Sequence, residues 1–309
     1  MEGGLAAEKR GDWKAAFLLL SPLAQQGNPV AQLHLGYMWE HGLGLSVSID
    51  NATDWYRLSA LQGNAYGQVN YGKIQKNAAD NRLRSLQGGS VAREVYVNEV
   101  IPWFRKSADQ GNSDGQYMLG VMHYDGKGVP QNYVEAAKWF KQAADQGNSD
   151  GQYMLGVIYF SQYYNYDGRK GVPQDFTEAA KWFKQAADQG NAYGQYMLGV
   201  MYYDGRKGVP QDYAEALKWF KQAADQGNAD GKKAFATLFI IKPKLAAKKD
   251  VGQTVCLPSD DPLGPPSVYG QVEQVHNDKI EVRRHVERNS DQLDWINYNA
   301  VFVCEGTWK

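Results

Sequence analysis

Residues 109–148 read DQGNSDGQYMLGVMHYDGKGVPQNYVEAAKWFKQAADQGN, and nearly the same words return twice more before residue 230. A Gly-Asn pair marks the same place in each copy. The pairs are Gly27-Asn28, Gly63-Asn64, Gly111-Asn112, Gly147-Asn148, Gly190-Asn191 and Gly227-Asn228. The basic period is about 36 residues, and a period of that order is typical of solenoids, whose stacked units mostly bind other macromolecules.

Two helices are predicted in each unit. Asn132 is a good N-cap for the first, NYVEAAKWFKQAADQGN, in which small and aromatic residues fall on one face at helical spacing. Gly147 supplies the left-handed residue that ends this helix, and Asn148 caps the next one, SDGQYMLGVIYF. Small residues at Gly151 and Gly156 allow two helix backbones to approach closely.

Aromatic residues keep a fixed phase before each Gly-Asn pair. Eight residues before the glycine stand Leu19, Trp55, Trp103, Trp139, Trp182 and Trp219, and one residue later stand Leu20, Tyr56, Phe104, Phe140, Phe183 and Phe220. We predict a structural ladder of these rings from unit to unit, which builds a continuous core.

The words A-x-x-W-[YF]-x-x-A-A-x-Q-G-N, L-G and D-G-x-G-V-P-Q resemble the Sel1-like repeat family, relatives of the tetratricopeptide repeat. The resemblance covers about residues 10–241. It implies a mainly α fold, a right-handed α/α superhelical solenoid of about six helix-pair repeats whose concave side is lined by the first helices. It also implies an adaptor that holds protein partners, and many bacterial members of the family are exported to the periplasm.

Two units depart from the period. The interval from Gly63 to Gly111 is longer by about twelve residues, which predicts longer helices and a loop near Gly88-Gly89, and the interval from Gly147 to Gly190 is longer by about seven. Insertions in solenoids form loops on one face, often the binding face. We therefore place a partner-binding site at the tyrosine loop and at one lysine per central unit, with folding of the tyrosines back over the solenoid as the alternative. These residues are Tyr163, Tyr164, Tyr166, Lys138, Lys181 and Lys218.

The repeat pattern ends near residue 241. Residues 1–241 form the predicted solenoid, 242–250 a basic linker and 251–309 a small all-β, SH3-like barrel. The segments GQTVCL, VYGQVEQV, DKIEVRRHV and AVFVC read as short strands, and Asn277-Asp278 suits a hairpin turn. Cys256 lies in the first of these strands and Cys304 in the last, so either a disulfide or two buried thiols are predicted.

Composition excludes several classes of function. The formal net charge of the 309 residues is −1, so no global field attracts nucleic acid or an anionic membrane. No run of about 18 apolar residues is present to span a membrane. The start lacks the pattern of a signal peptide, and it suits a mature chain whose export signal was replaced by Met1. A disulfide would agree with a periplasmic location; the cytoplasm is the alternative.

Catalysis is not predicted. The five histidines are scattered, His123 reads as a core residue, and no hydrolase, P-loop or metal-ligand motif is present, so we predict no catalytic residues, no cofactor and no metal. The predicted function is protein binding, with two readings. One is a periplasmic immunity protein that neutralises a phospholipase effector of type VI secretion, since such immunity proteins include members that resemble this repeat family. The other is an envelope adaptor. A separate alternative to protein binding is a cell-wall-binding protein that acts through its last domain. The oligomeric state is left open.

Overall fold

Each Gly-Asn pair makes the tight turn of a helical hairpin. In the computed structural model the glycines adopt left-handed φ angles, 79° at Gly111 and 85° at Gly147. The side chain of each following asparagine accepts a hydrogen bond from the first turn of the next helix, as Asn148 does from Gly151 N at 2.8 Å. The predicted cap at Asn132 is confirmed, since its side chain accepts from Glu135 N at 3.0 Å. The helices begin and end where short polar signals in the sequence place them.

The structure describes residues 1–85, 94–161, 171–206 and 208–241, together with strands 254–257, 268–276, 279–285, 292–297 and 302–303. It divides into two compact units, Met1–Gln174 and Asp175–Lys309. Thirteen α-helices lie in the described residues, in a mainly helical solenoid. None of these helices is long and apolar enough to span a membrane.

The helices of the first unit are α1 (Glu2–Lys9), α2 (Trp13–Gln25), α3 (Pro29–His41), α4 (Ile49–Leu61), α5 (Ala65–Ser85), α6 (Ile101–Asp109), α7 (Ser113–Asp125), α8 (Tyr133–Asp145) and α9 (Ser149–Phe160). Those of the second unit are α10 (Phe176–Asp188), α11 (Ala192–Asp204), α12 (Tyr213–Asp225) and α13 (Ala229–Ile241). From α2 onward the even-numbered helices are the first helices of their repeats, and the odd-numbered ones are the second helices.

Successive repeats join through a glycine and an aromatic ring. The glycine lies in a second helix, and the ring belongs to the first helix of the next repeat. A Cβ atom added to the glycine would lie 2.5 to 2.7 Å from the nearest ring atom. These pairs are Gly36–Tyr56, Gly72–Phe104, Gly120–Phe140 and Gly199–Phe220. Because the side chain of glycine is a hydrogen atom, the ring can lie directly against the helix backbone.

Helix α1 takes the place of a second helix at the start of the stack. A Cβ atom added to Gly4 would lie 2.6 Å from Leu20 Cγ, which repeats the glycine–ring contact with leucine in place of an aromatic residue. Leu20, Ala7 and Leu35 belong to one buried cluster. The eight residues of α1 therefore cover the apolar face of α2 that a preceding repeat covers elsewhere.

The longer interval between Gly63 and Gly111 lengthens one helix, as predicted. Helix α5 has 21 residues, whereas most of its counterparts have 13. The predicted loop near Gly88-Gly89 lies outside the described residues. Ahead of α6 the chain forms a π-helical turn, Tyr96–Val100, in which Ile101 N donates to Tyr96 O five residues back. Pro102 follows directly and has no N–H to continue an α-helical pattern, which favours this wider turn.

The C-terminal strands are β1 (Thr254–Leu257), β2 (Val268–His276), β3 (Lys279–His285), β4 (Gln292–Asn297) and β5 (Phe302–Val303). They form one antiparallel sheet in the order β4-β3-β2-β1-β5. Strands β2 and β3 pair antiparallel with His276 opposite Lys279, and the predicted turn at Asn277-Asp278 lies outside the described residues. Strand β4 was not predicted. Residues 242–250 lie outside the described part, so the linker, the domain boundaries and the SH3-like barrel stay predictions.

Candidate functional site

The first helices of the three central repeats expose the same set of charged side chains. In α8 the side chain of Lys138 is 64% exposed and its Nζ lies 3.0 Å from Glu135 Oε2. One turn further, Lys141 Nζ lies 2.8 Å from Asp145 Oδ2. The same two pairs return in α10 and α12. They are Lys181–Glu178, Lys184–Asp188, Lys218–Glu215 and Lys221–Asp225. We call this repeated set the charged face.

The charged face carries no net charge, because each lysine is paired with a carboxylate on its own helix. Exposed pairs of this kind contribute little to stability, since water screens them and both side chains lose conformational freedom. The predicted partner-binding residues Lys138, Lys181 and Lys218 are therefore exposed but ion-paired. A partner that binds the charged face would contact alternating lysine and carboxylate side chains.

Tryptophan rings lie beneath lysines of the charged face on α10 and α12. Lys218 Nζ is 5.5 Å and Lys184 Nζ is 5.9 Å from the ring centre of Trp219, and Lys181 Nζ is 5.5 Å from that of Trp182. Trp182 and Trp219 are buried, whereas Trp55, Trp103 and Trp139 are half-buried. A lysine above an aromatic face is held by cation–π attraction and by contact of its methylene groups. The tryptophans therefore help to orient the charged face.

The phenylalanines that follow these tryptophans serve the core. Phe104, Phe140 and Phe183 are fully buried, and Phe220 is nearly so. The predicted tyrosine loop with Tyr163, Tyr164 and Tyr166 lies outside the described residues, so its part in binding stays a prediction. Cys304 also lies outside them. Cys256 lies in β1, where it pairs in register with Phe302 of β5, and the disulfide stays a prediction.

A set of buried glutamines, which the sequence analysis missed, ties the repeats together. Gln32 in α3 is 3% exposed; its Nε2 donates to Ala24 O at 3.0 Å, and its Oε1 accepts from Gln62 Nε2 at 2.7 Å. Gln62 belongs to the next Gln-Gly-Asn turn. The same link across repeats occurs in Gln68–Gln110, Gln116–Gln146 and Gln195–Gln226. These glutamine pairs fix the register of one hairpin on the next, and with it the spacing of the exposed side chains.

A second missed cluster holds the lengthened helix α5. The Asp80 carboxylate accepts hydrogen bonds from Lys76 Nζ at 2.8 Å, from Lys127 Nζ at 3.1 Å and from the Tyr96 hydroxyl. Burial alone would raise the pKa of Asp80, but these donors outweigh it and lower the pKa to about 2. Asp80 lies beyond the normal end of a second helix, so no repeat pattern pointed to it.

His34 and His123 lie in described helices and have different surroundings. His34 Nδ1 lies 2.7 Å from Glu8 Oε2. His123 is half-buried in the place that tyrosine holds in two other repeats, and burial lowers its pKa, which favours the neutral ring. Among the residues that the structure describes, no group of three or more His, Cys, Asp or Glu side chains could hold a metal ion.

Comparison with known proteins agrees with the geometry. A protein-family model described as "Sel1 repeat" matches residues 29–64, 103–112, 113–148, 149–191 and 192–228. It is the model of a repeat and indicates no catalytic family. The crystal structure of a Sel1 repeat protein from Oxalobacter formigenes is 27% identical, covers 76% of this chain and 86% of that chain, and has a TM-score of 0.60.

Two other similarities are weaker. A Sel1-like repeat-containing protein of Acanthamoeba polyphaga mimivirus is 32% identical over 124 residues, which are 34% of this chain and 23% of that protein. The match therefore spans about a quarter of the mimivirus protein. An immunity protein of Pseudomonas aeruginosa is 16% identical over 75% of this chain and 80% of that chain, with a TM-score of 0.46, a level that says nothing of what this chain binds.

Proposed function

The chain belongs to the Sel1 repeat family, and from that premise we propose that it is a non-catalytic solenoid that binds a protein partner through its first helices. The finer part of the proposal is the partner: a secreted antibacterial enzyme of the phospholipase class, which this chain neutralises in the periplasm as an immunity protein.

One observation carries the proposal: the same pairs of charged side chains recur on α8 in the first unit and on α10 and α12 in the second. The buried glutamine pairs and the glycine–ring contacts hold the backbone, while lysines that are more than half exposed face solvent. Solenoids use such repeated surfaces to bind along an extended partner.

The charged face also indicates how binding would respond to salt. Because Lys138 and Lys141 are neutralised by Glu135 and Asp145, the face creates no long-range field of one sign. Association is then expected without strong electrostatic steering and with a weak dependence of its rate on ionic strength. Specificity comes from short-range matching of positive and negative groups.

The periplasmic location rests on the C-terminal segment. Both cysteines lie within residues 251–309, and the strand that contains Cys256 pairs with β5, which ends one residue before Cys304. A disulfide between them would form and persist in an oxidising compartment. Mass spectrometry of the exported protein under non-reducing conditions tests this part, because two free thiols would contradict it.

The binding test starts with affinity purification from the bacterium that encodes the chain. The captured enzyme is then assayed on phospholipid vesicles with and without an equimolar amount of the purified chain. We expect lipid hydrolysis to stop near a one-to-one ratio, because the bound solenoid keeps the enzyme from the lipid surface. Capture of envelope proteins with no effect on lipid hydrolysis would reject the immunity role and leave protein binding in place.

A matched pair of variants locates the binding face. Replacing Lys138, Lys181 and Lys218 with glutamate reverses one charge in each central repeat, and we expect it to weaken binding of the captured enzyme by at least tenfold. The control replaces Lys232 and Lys233 with glutamate on α13, a second helix, where both side chains are exposed. Equal loss of binding in the two variants would contradict the assignment of the charged face.

A further inference from the structure

The first two repeats expose apolar side chains in a way that the central repeats do not. Leu18 is 72% exposed and Leu61 is 64% exposed, with Leu19 at 50% and Leu58 at 39%. Most of the large apolar side chains that are exposed in the described residues lie between residues 18 and 66. Single exposed leucines are ordinary on protein surfaces, but a group on neighbouring elements marks an interaction site.

The repeat itself shows that these leucines are local replacements. Leu18 stands nine residues before its Gly-Asn pair, where the central repeats have Lys138, Lys181 and Lys218. Leu61 stands two residues before its pair, where they have Asp145, Asp188 and Asp225. Leu58 replaces a glutamine in the same way. The side of the first helix that is charged in α8, α10 and α12 therefore holds exposed leucines in α2 and α4. We call Leu18, Leu19, Leu58 and Leu61 the leucine face.

Charge decides between possible occupants of the leucine face. On α2, the positions that correspond to the charged face hold Ala15, Leu18, Ser21 and Gln25, so this helix contributes no charge there. On α4 the charges are Asp54 and Arg57, which pair with each other at 3.6 Å. A face with no unpaired cation does not attract an anionic bilayer, and one with no net charge does not select a charged protein surface.

An uncharged apolar surface is complementary to another surface of the same kind. A second copy of this chain carries such a surface, its own leucine face. Two copies can bring their leucine faces together without like-charge repulsion, and the net charge of −1 adds almost none between whole chains. A two-fold axis between the helices would set α2 of one copy against α4 of the other, so that Leu18 and Leu19 meet Leu58 and Leu61 twice. Such isologous pairing is the commonest form of oligomer.

We propose that the leucine face on α2 and α4 is the interface of a homodimer, formed by a second copy of this chain. The interface goes beyond the proposed function and does not depend on it, because it uses the first two repeats and leaves the charged face of the central repeats free. A dimer would present two charged faces, one from each copy.

Sedimentation velocity of the full chain, from about 1 to about 100 µM, tests the proposal. We expect a dimer that dissociates on dilution. The double variant Leu18→Lys, Leu61→Asp carries the residues that the central repeats hold at these places, so it should fold, as circular dichroism will verify. We expect it to associate at least tenfold more weakly. The control Tyr193→Asp adds an acid on the second helix α11, where three other repeats have aspartate, and should remain dimeric.

Three outcomes would overturn the proposal. A wild-type chain that stays monomeric over the whole concentration range has no such interface. A double variant that dimerises as well as the wild type uses a different surface. A monomeric chain that binds an apolar protein partner, and loses that binding on Leu18→Lys, has a leucine face meant for another protein. Failure of the lipid-hydrolysis test would leave the dimer untouched, so the two proposals are separable.

Discussion

Gly120 and Phe140 are in contact so close that no side chain fits between them: a Cβ atom on Gly120 would lie 2.5 Å from two carbon atoms of the ring. Phe140 is fully buried, so the ring has little room to move. Gly120→Ala should gain up to about 1 kcal/mol of helix propensity and lose more to overpacking, a net destabilisation of about 1–3 kcal/mol. The free energy of unfolding in urea measures it.

The control for this prediction is Gly3→Ala. Gly3 is also helical, but a Cβ atom there would meet its nearest neighbour, Leu19 Cδ1, at an ordinary 3.7 Å. Its stability should stay equal to that of the wild type or rise slightly. Equal destabilisation by both substitutions would show that the contact between Gly120 and Phe140 is not what matters.

Gln32→Leu tests the buried glutamine pairs. The substitution removes two hydrogen bonds, from Gln32 Nε2 to Ala24 O and from Gln62 Nε2 to Gln32 Oε1, although Ala24 O keeps the bond from Gly27 N. The expected loss of stability is about 1–3 kcal/mol. Gln25→Leu, an exposed position in α2, should change stability by less than about 0.5 kcal/mol. If the two variants are equally stable, the glutamine pair does not hold the repeats together.

Asp80 makes stability depend on pH at the acid end. Its pKa is about 2 in the folded chain and 3.8 in the reference state, so the unfolded chain binds more protons between these values. The stabilisation is fully present above about pH 4 and is lost as the pH falls to about 2. After allowance for partial exposure, Asp80→Asn should cost about 1–2 kcal/mol at pH 7.

The pH dependence separates Asp80 from the other carboxylates. The difference in unfolding free energy between the wild type and Asp80→Asn should shrink steadily from pH 4 to pH 2. Asp145→Asn, which removes an exposed ion pair with Lys141, should cost less than about 0.5 kcal/mol at pH 7. A difference for Asp80 that is the same at pH 7 and at pH 2 would contradict the assigned hydrogen bonds.

Ala143 stands at a position of the repeat that holds serine in two other repeats. Ser59 and Ser107 stand at the same phase and donate to Pro29 O at 2.6 Å and to Ala65 O at 2.8 Å in the preceding repeat. Ala143→Ser should therefore change the free energy of unfolding by less than about 1 kcal/mol. Ala143→Val should lower the free energy of unfolding by about 1–3 kcal/mol, because Ala143 packs closely against Gly151. A Cβ atom added to Gly151 would lie only 3.0 Å from Ala143 Cβ, so little room is left for a larger side chain. Thermal denaturation of both variants compares them; equal melting would contradict this packing.

The helical hairpins could be predicted from the sequence because residues close in the chain determine where each helix begins and ends. Asn148 caps a helix through its own side chain, and Gly147 adopts a φ that other residues avoid. The core phenylalanines follow from helical spacing alone. These features need no knowledge of distant partners, so a pattern of residue types is enough to find them.

The buried glutamines could not be read in the same way, since glutamine is usually exposed and its partner lies some 30 residues away. One sign was available: glutamine recurs four residues after five of the six asparagines, and Lys232 replaces it only in the last repeat. The π-helical turn before Pro102 and the Asp80 cluster had no such sign, because they arise in an insertion that has no counterpart to compare. Strand β4, in the C-terminal segment, was also missed.

The Asp80 cluster adds a link between two neighbouring repeats beyond their glycine–ring contact and glutamine pair. Lys127, after α7, reaches back 47 residues to Asp80, and Tyr96 reaches the same carboxylate from the π-helical turn. In an array with contacts only between nearest neighbours, local opening can begin in any repeat and spread to the next, and hydrogen exchange reports it. We expect this bond to couple the opening of α5 to that of α7 in hydrogen exchange, so that the insertion that interrupts the repeat strengthens the link between the repeats on either side.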